Sequence, residues 1–378
     1  MTGPAATQAL TRAVQTNCHI ADARHATDLT LCTYLLHMRE FYRWEHALPF
    51  SATLPREAVG AWIAERERQW ADLEDQDFVD LPLPAGAGPH ADDGRHAGTP
   101  ACAAHEVLPP FDVDAVGPCL EPLGLAYGAG LAGRERPGFF LAELLHVRQL
   151  DDGLTLRVCS REHARGLFAP PAALVDRTVW LRRESLARWL WQLYETYSLR
   201  EADGAFRAVV QAHGLDRDFE RGLPGLLDEV GDMLVLHELG EHRVGRWLGP
   251  AWAEMRLALP HRRTDLAVRA VRDLLADFEV TLPTLLERSA NTGLHFWFAT
   301  FDGLREHLCP DLRNAWRAWR EGDGGAALLR SCRSGSIHFR ALAEQVLHLH
   351  AERGDRAAAD IEALLSQPAS VFRGRGAA

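Results

Sequence analysis

The segment from Leu236 to His242, LHELGEH, carries the chain's densest set of metal-ligating and proton-transfer groups. It invites comparison with the zincin pattern H-E-x-x-H, in which two histidines four residues apart share a helical face and grip zinc. Here the fourth position after His237 is Glu241. His242 lies one residue further, rotated about 140° from His237 at roughly 100° per residue. A standard zincin is therefore disfavoured, and so is the inverted H-x-x-E-H form. His237 and Glu241 nevertheless share an arc of about 80° with Val230, Leu234, Val244 and Leu248 on a helical wheel. An ionised carboxylate in such an apolar seam is costly unless it is paired or metal-bound. A histidine one turn away is a natural co-ligand for zinc, iron or manganese. Glu238 lies on the flank, where it is the candidate general base toward a metal-bound water.

Further ligands are available downstream. In VRDLLADFEV, Asp273 and Asp277 stand four apart, at the margin of an apolar face that includes Leu266, Ala270 and Val280. If the two helices pack antiparallel, His237/Glu241 and Asp273/Asp277 converge on one or two cations, as carboxylate–histidine sites do between facing helices. His295, in the apolar run LHFWFATF, is a further candidate ligand. The bland alternative is that His237 is a satisfied core histidine and that the acids pair with Arg269, Arg272 or other arginines. Gly231, Gly240 and Gly245 weaken the helix by about 1 kcal/mol each relative to alanine.

These residues need elements to hold them. A helix runs from a cap at Asp28 to about Ala47, with Leu31, Leu35, Met38 and Tyr42 at helical spacing, and Pro55 opens a second through Ala58, Trp62 and Trp70. Leu81 to His105 is rich in Pro, Gly, Ala and His and reads as a flexible insertion, its His90, His96, Cys102 and His105 lacking regular ligand spacing. The runs 139–149 and 154–160 around Asp151-Asp152-Gly153 are a hairpin signal, with further strands at 125–130 and 178–181. The Gly-rich YGAGLAGRERPG lacks the strand-to-helix context of a phosphate cradle and reads as a β-turn region. From Arg183 to about Ser366 the pattern is helical. Arg182-Arg183, at the β-to-α junction, either holds an anionic substrate group at a helix start or makes a surface ion pair. Cys18, Asp22 and His25 would share a helical face and are a second, weaker metal or redox candidate beside their reading as caps and small apolar residues.

Composition bounds the chemistry. The chain has 378 residues, 41 basic against 52 acidic side chains and a formal charge of −11, and every basic residue is arginine. Without lysine, neither a Schiff base nor the phosphate-loop and kinase lysines can be built. Net acidity argues against nucleic acid as a partner. No apolar run is long enough to span a membrane, and the Ala/Thr-rich stretch from Met1 to Gln15 has no apolar h-region, so a secretory signal is not expected there. The seven cysteines are scattered without a C-x-x-C pair, so a reducing cytoplasm is expected rather than a disulfide framework.

NCHIADARHA, LCTYLLHMREFYRWEH, FFLAEL and LHELGEH together resemble a bacterial family of unknown function made of paired N- and C-terminal domains. The resemblance implies a two-part architecture and no particular activity. The expected fold is α+β and mostly α-helical. Residues 1–182 make helices plus a small antiparallel β-sheet, with 81–105 as an insertion, and residues 183–366 form an all-helical domain. The leading functional expectation is a divalent-metal enzyme, holding zinc, iron or manganese and activating water to hydrolyse a small-molecule substrate. The alternatives are a non-haem iron oxidase or oxygenase, a magnesium-dependent nucleotide pyrophosphohydrolase in which Glu238-x-x-Glu241 and the aspartates hold the ion, and a non-catalytic binding or assembly protein with arginine-paired acids.

Overall fold

The computed structural model describes residues 4–84, 107–132, 136–200 and 204–374. Most of the expected insertion, including His90, His96, Cys102 and His105, lies outside them. The chain divides into two compact units, Met1–Gln192 and Leu193–Ala378.

The first unit opens with helices α1 (Pro4–His25), α2 (Leu31–Glu45) and α3 (Arg56–Ala71). Thr30, not Asp28, caps α2, accepting the backbone N–H of Thr33. The difference is local: Asp28 is drawn into contacts with His25 and Arg136. Pro55 precedes α3 as expected, its fixed φ suiting a helix start. A short antiparallel pair, β1 (Leu81–Pro82) with β2 (Val107–Leu108), brackets the insertion, and α4 (Val113–Leu120) follows.

Five strands then form one sheet: β3 (Leu125–Ala132), β4 (Arg136–Gln149), β5 (Thr155–Arg165), β6 (Ala172–Val175) and β7 (Thr178–Arg182), in spatial order β3-β4-β5-β7-β6. The β4–β5 hairpin turns at Asp152 (φ 59°) and Gly153 (φ 68°), the paired left-handed conformations that match the twist of two-residue hairpins. The sheet is antiparallel except where β7 runs parallel to β5, a pairing that places β6 at the edge. Residue alternation alone specifies neither feature. Leu10, Val14, Cys18 and Ala21, spaced three or four apart on α1, pack against Tyr127, Phe139 and Leu141 of the sheet. Helix α5 (Arg183–Ser198) begins immediately after β7.

The second unit is helical throughout its described residues: α6 (Ala205–His213), α7 (Phe219–Leu248), α8 (Pro250–Ala258), α9 (Arg262–Ala276), a π-helical turn (Asp277–Thr281), α10 (Leu282–Glu287), α11 (Asn291–Ala299), α12 (Gly303–Leu308), α13 (Leu312–Arg320), α14 (Ala326–Arg353) and α15 (Ala358–Leu365). Asp218 caps α7 by accepting the N–H of Arg221. The LHFWFATF run supplies a buried aromatic cluster of Phe296, Trp297, Phe298 and Phe301.

One close approach decides the geometry of this unit. A Cβ at Gly240 would lie 2.8 Å from the carbonyl oxygen of Ala276, so only glycine lets α7 come so near α9. The residue that weakens the helix in isolation is the one that permits its packing.

Among the described cysteines, Cys18, Cys32, Cys159, Cys309 and Cys332 are free, whereas Cys119 is disulfide-bonded. A disulfide at Cys119 departs from the expectation of scattered, unpaired cysteines. Among the described residues, no helix is long and apolar enough to cross a membrane.

Candidate metal centre

Helices α7 and α9 run antiparallel, so Glu241 meets Asp273 and, one turn away, His237 meets Asp277. His237, Glu241 and Asp273 each offer a ligand atom, and these atoms all lie within 4.8 Å of one another. Their side chains are partly open to solvent, at 18%, 17% and 23% exposure. The cluster thus sits at the rim of the interhelical seam. Gly240, Leu236 and Leu239 occupy the more buried positions beside it.

Asp277 takes a different place. It is fully buried at the start of the π-helical turn, and its Oδ1 lies 2.8 Å from His237 Nδ1. Its Oδ2 has no hydrogen-bond partner among the described residues and faces the Arg305 guanidinium at 3.7 Å. The opposite ring nitrogen, His237 Nε2, lies 3.4 Å from Glu241 Oε1. Asp277 therefore stands behind the histidine rather than beside Glu241 and Asp273. A histidine oriented by a carboxylate on one nitrogen, with the other turned toward further ligands, is the usual arrangement at metal centres.

Arginine also enters the cluster. Arg272 Nη2 lies 2.5 Å from Glu241 Oε1 and 3.1 Å from Asp273 Oδ1, bridging two of the three potential ligands. Glu238 is buried, and its negative charge acts on Arg272, raising the arginine's pKa together with Glu241 and Asp273 against the effect of burial. The structure thus associates Glu238 with the guanidinium.

The ionisation of the group follows from these contacts. Burial pushes the His237 pKa down, but the Asp277 charge and hydrogen bond, with Glu241 beside the other nitrogen, hold it well above its ordinary value. Burial pushes Glu241 up, yet the His237 hydrogen bond and the Arg272 charge outweigh it and hold Glu241 well below the usual carboxylate range. Asp273 is pushed up to about 6, by burial and then by the adjacent Glu241 charge. The cluster is therefore a protonated imidazole and a guanidinium surrounded by carboxylates, one of which titrates near neutrality.

His295 is elsewhere. Its Nδ1 accepts the indole N–H of Trp316 at 3.3 Å, and its ring packs on Trp316 and Trp319. Burial and the neighbouring Arg320 push its pKa down to about 4. It is an aromatic-core histidine in this arrangement and does not join His237. The Cys18, Asp22 and His25 trio also fails to assemble. The Cys18 thiol donates to the Phe139 carbonyl, Asp22 accepts the Leu167 N–H, and His25 pairs with Asp28.

One residue and one backbone feature at this site escaped the sequence pattern. Arg305 comes from α12, far along the chain, and no periodicity marks it. The π-helical turn adds a residue to one helical turn at Asp277, and such turns often occur at functional sites.

Models of the two domains of a family of unknown function (DUF6866) match the chain, the N-terminal domain over residues 9–92 and 96–182 and the C-terminal domain over 187–368. The chain belongs to this family. In DUF6866 terms the α7–α9 cluster lies wholly in the C-terminal domain, and the strands of the first unit lie in the N-terminal one. No curated protein and no solved structure matches the chain.

Proposed function

We propose that the C-terminal domain is a divalent-metal-dependent enzyme, with His237 Nε2, Glu241 and Asp273 as the ligands and Asp277 as the carboxylate that orients His237. The observation that carries this reading is the division of labour on the imidazole: Nδ1 is engaged by a fully buried carboxylate while Nε2 faces the two remaining acids. One nitrogen and two carboxylates form a borderline-to-hard donor set suited to zinc, iron or manganese. Three protein ligands at a partly exposed rim are fewer than a divalent cation takes, so water or substrate would complete its coordination. A metal bound there supplies an acidified water, which favours hydrolysis. Glu238, the next residue along α7 from His237, is the carboxylate that would serve as general base beside such a metal. The same ligand set is compatible with dioxygen chemistry on iron.

A second reading is supported by the Arg272 bridge. There the guanidinium takes the cation's place permanently, and the cluster is an ion-pair latch between α7 and α9 in a non-catalytic binding protein.

The two readings diverge at Arg272→Met. If Arg272 only fills the space a cation would share, the variant folds and binds zinc or manganese at least as tightly as the wild type. If it is the latch, Glu241 and Asp273 lose their counter-charge. The variant is then destabilised by about 1–3 kcal/mol, as expected for breaking a partly buried pair, and titration calorimetry shows no metal binding in either protein. Absence of saturable zinc, manganese or iron(II) binding to the wild type would sink the enzyme reading.

A further inference from the structure

The first unit contains a second group of buried charges, separate from the α7–α9 cluster. Glu162 and Arg165 lie on β5, Arg182 ends β7, and Glu184, Ser185 and Arg188 lie in the first two turns of α5. Arg182 is 4% exposed, Arg165 and Arg188 7% each, so the Arg182 expected in a surface pair is in the interior instead. Glu162 Oε1 accepts from Arg182 Nε at 3.0 Å and from the Ser185 hydroxyl at 2.6 Å, while its Oε2 faces Arg165 Nη1 at 3.4 Å. Glu184 accepts the Glu162 backbone N–H at 2.7 Å and Arg188 Nη2 at 2.8 Å.

These contacts leave the cations in excess. Three arginines face two glutamates, a net charge of +1. Arg182 Nη2 and Arg188 Nε and Nη1 are buried without a hydrogen-bond partner among the described residues, whereas Arg165 Nη1 and Glu162 Oε2 face each other as an ion pair. A guanidinium cannot shed its proton to escape burial. Each unmatched donor costs about 1–3 kcal/mol. The strain registers on Arg165, whose pKa is lowered to about 10 by burial, then by the Arg182 and Arg188 charges, against the opposing pull of Glu162. The start of α5 adds the positive end of a 16-residue helix to the same place.

We propose that Arg165, Arg182 and Arg188 form a binding site for a compact oxyanion group, the carboxylate or phosphate of a small ligand, in the N-terminal domain. The planar guanidinium forks suit such groups, which accept two parallel N–H bonds from each. One added negative charge neutralises the cluster. The site is independent of the metal reading, since it shares no residue with the other domain.

The test is titration calorimetry of the full chain with inorganic phosphate and, separately, acetate, each at constant ionic strength with chloride as reference. The expected result is saturable 1:1 binding of at least one probe, with the stronger one identifying the ligand's anionic group. Arg188→Gln, which leaves the Arg165–Glu162–Arg182 contacts in place, weakens that binding at least tenfold. Arg188→Lys keeps the charge but removes the fork, so it weakens binding even if Arg188→Gln folds poorly. Arg68→Gln, at an exposed surface pair, and His237→Ala, in the other domain, leave it unchanged. Binding no stronger than chloride for both probes, or binding by folded Arg188→Gln equal to that of the wild type, would overturn the proposal.

Discussion

His237 Nδ1 and Asp277 Oδ1 are 2.8 Å apart, and the aspartate is wholly enclosed while the imidazole's far edge reaches the rim. This contact fixes the ring plane and leaves the proton at Nε2 as the one a metal would replace. Asp277→Asn keeps the size but presents an amide that does not hold the same tautomer. Metal affinity should fall about 10- to 100-fold, the usual cost of losing such an orienting partner. Zinc titration followed by calorimetry measures this, and an unchanged affinity would show that Asp277 serves the fold alone.

The acid–base behaviour of the metal-free protein has a definite sign. His237 has a folded pKa above its ordinary 6.5, so its stabilisation is full below that value and disappears as pH rises through the folded pKa. Asp273, raised from 3.8 to about 6, acts in the same direction, losing its contribution as pH climbs across that interval. Glu241, depressed from 4.5, acts oppositely and loses its contribution as pH falls through its lowered value. Asp22 in the other unit is raised to about 7, chiefly by burial, and adds to the first trend. His19 and His295, lowered by burial to about 3 and about 4, oppose this trend below pH 6.5. Urea unfolding should therefore show stability declining with pH from 6.5 to 8, and Asp273→Asn should remove a falling contribution between pH 4 and 6. A wild-type curve that rises throughout contradicts this assignment.

Metal binding should run the other way with pH, because a cation must displace the His237 proton. Zinc affinity should increase from pH 5.5 to pH 7.5 with release of at least one proton, measurable by calorimetry in buffers of different ionisation enthalpy. Binding that is insensitive to pH would place the metal away from His237.

Gly240 and Gly245 lie on the same helix and should respond oppositely to alanine. At Gly245 nothing lies within 4 Å of an added Cβ, so the helix gains about 0.5–1 kcal/mol. At Gly240 the new Cβ meets the Ala276 carbonyl and must push α7 from α9, with a net loss of about 1–3 kcal/mol. Chemical denaturation of both variants checks this, and Gly240→Ala should also weaken any metal binding between the helices.

His295→Phe removes the acceptor for the Trp316 indole but keeps an aromatic ring between Trp316 and Trp319. The expected cost is about 1–2 kcal/mol, from the donor left unpaired, with metal affinity unaltered. Loss of metal from a folded His295→Phe protein would return His295 to the ligand set.

Much of this arrangement could be read from residue order alone. The LHELGEH helix, the hairpin at Asp152-Gly153, the opening of α3 at Pro55 and the helical run after Arg183 all follow from local rules: periodicity, turn conformations and caps that act over a few residues. So did the pairing of His237 with Glu241, one turn apart on one helix, and the family to which the two domains belong. What residue order left open depended on segments distant in the chain. The parallel β5–β7 pairing, the arrival of Arg305 behind Asp277 and the withdrawal of His295 into a tryptophan pair are contacts between such segments, and none leaves a local pattern.

The division is sharpest at charged groups. The sequence determined that only arginine and protonated histidine could neutralise the carboxylates, because there is no lysine, and that His237 and Glu241 would share a face. Tertiary packing alone decided which acid stands behind the imidazole, which lies beside Arg272, and that Arg182 is enclosed with an excess of positive charge. The reason is physical: helix faces are set by bonds within a few residues, whereas the energy of a buried charge depends on every group brought within a few ångströms by the fold.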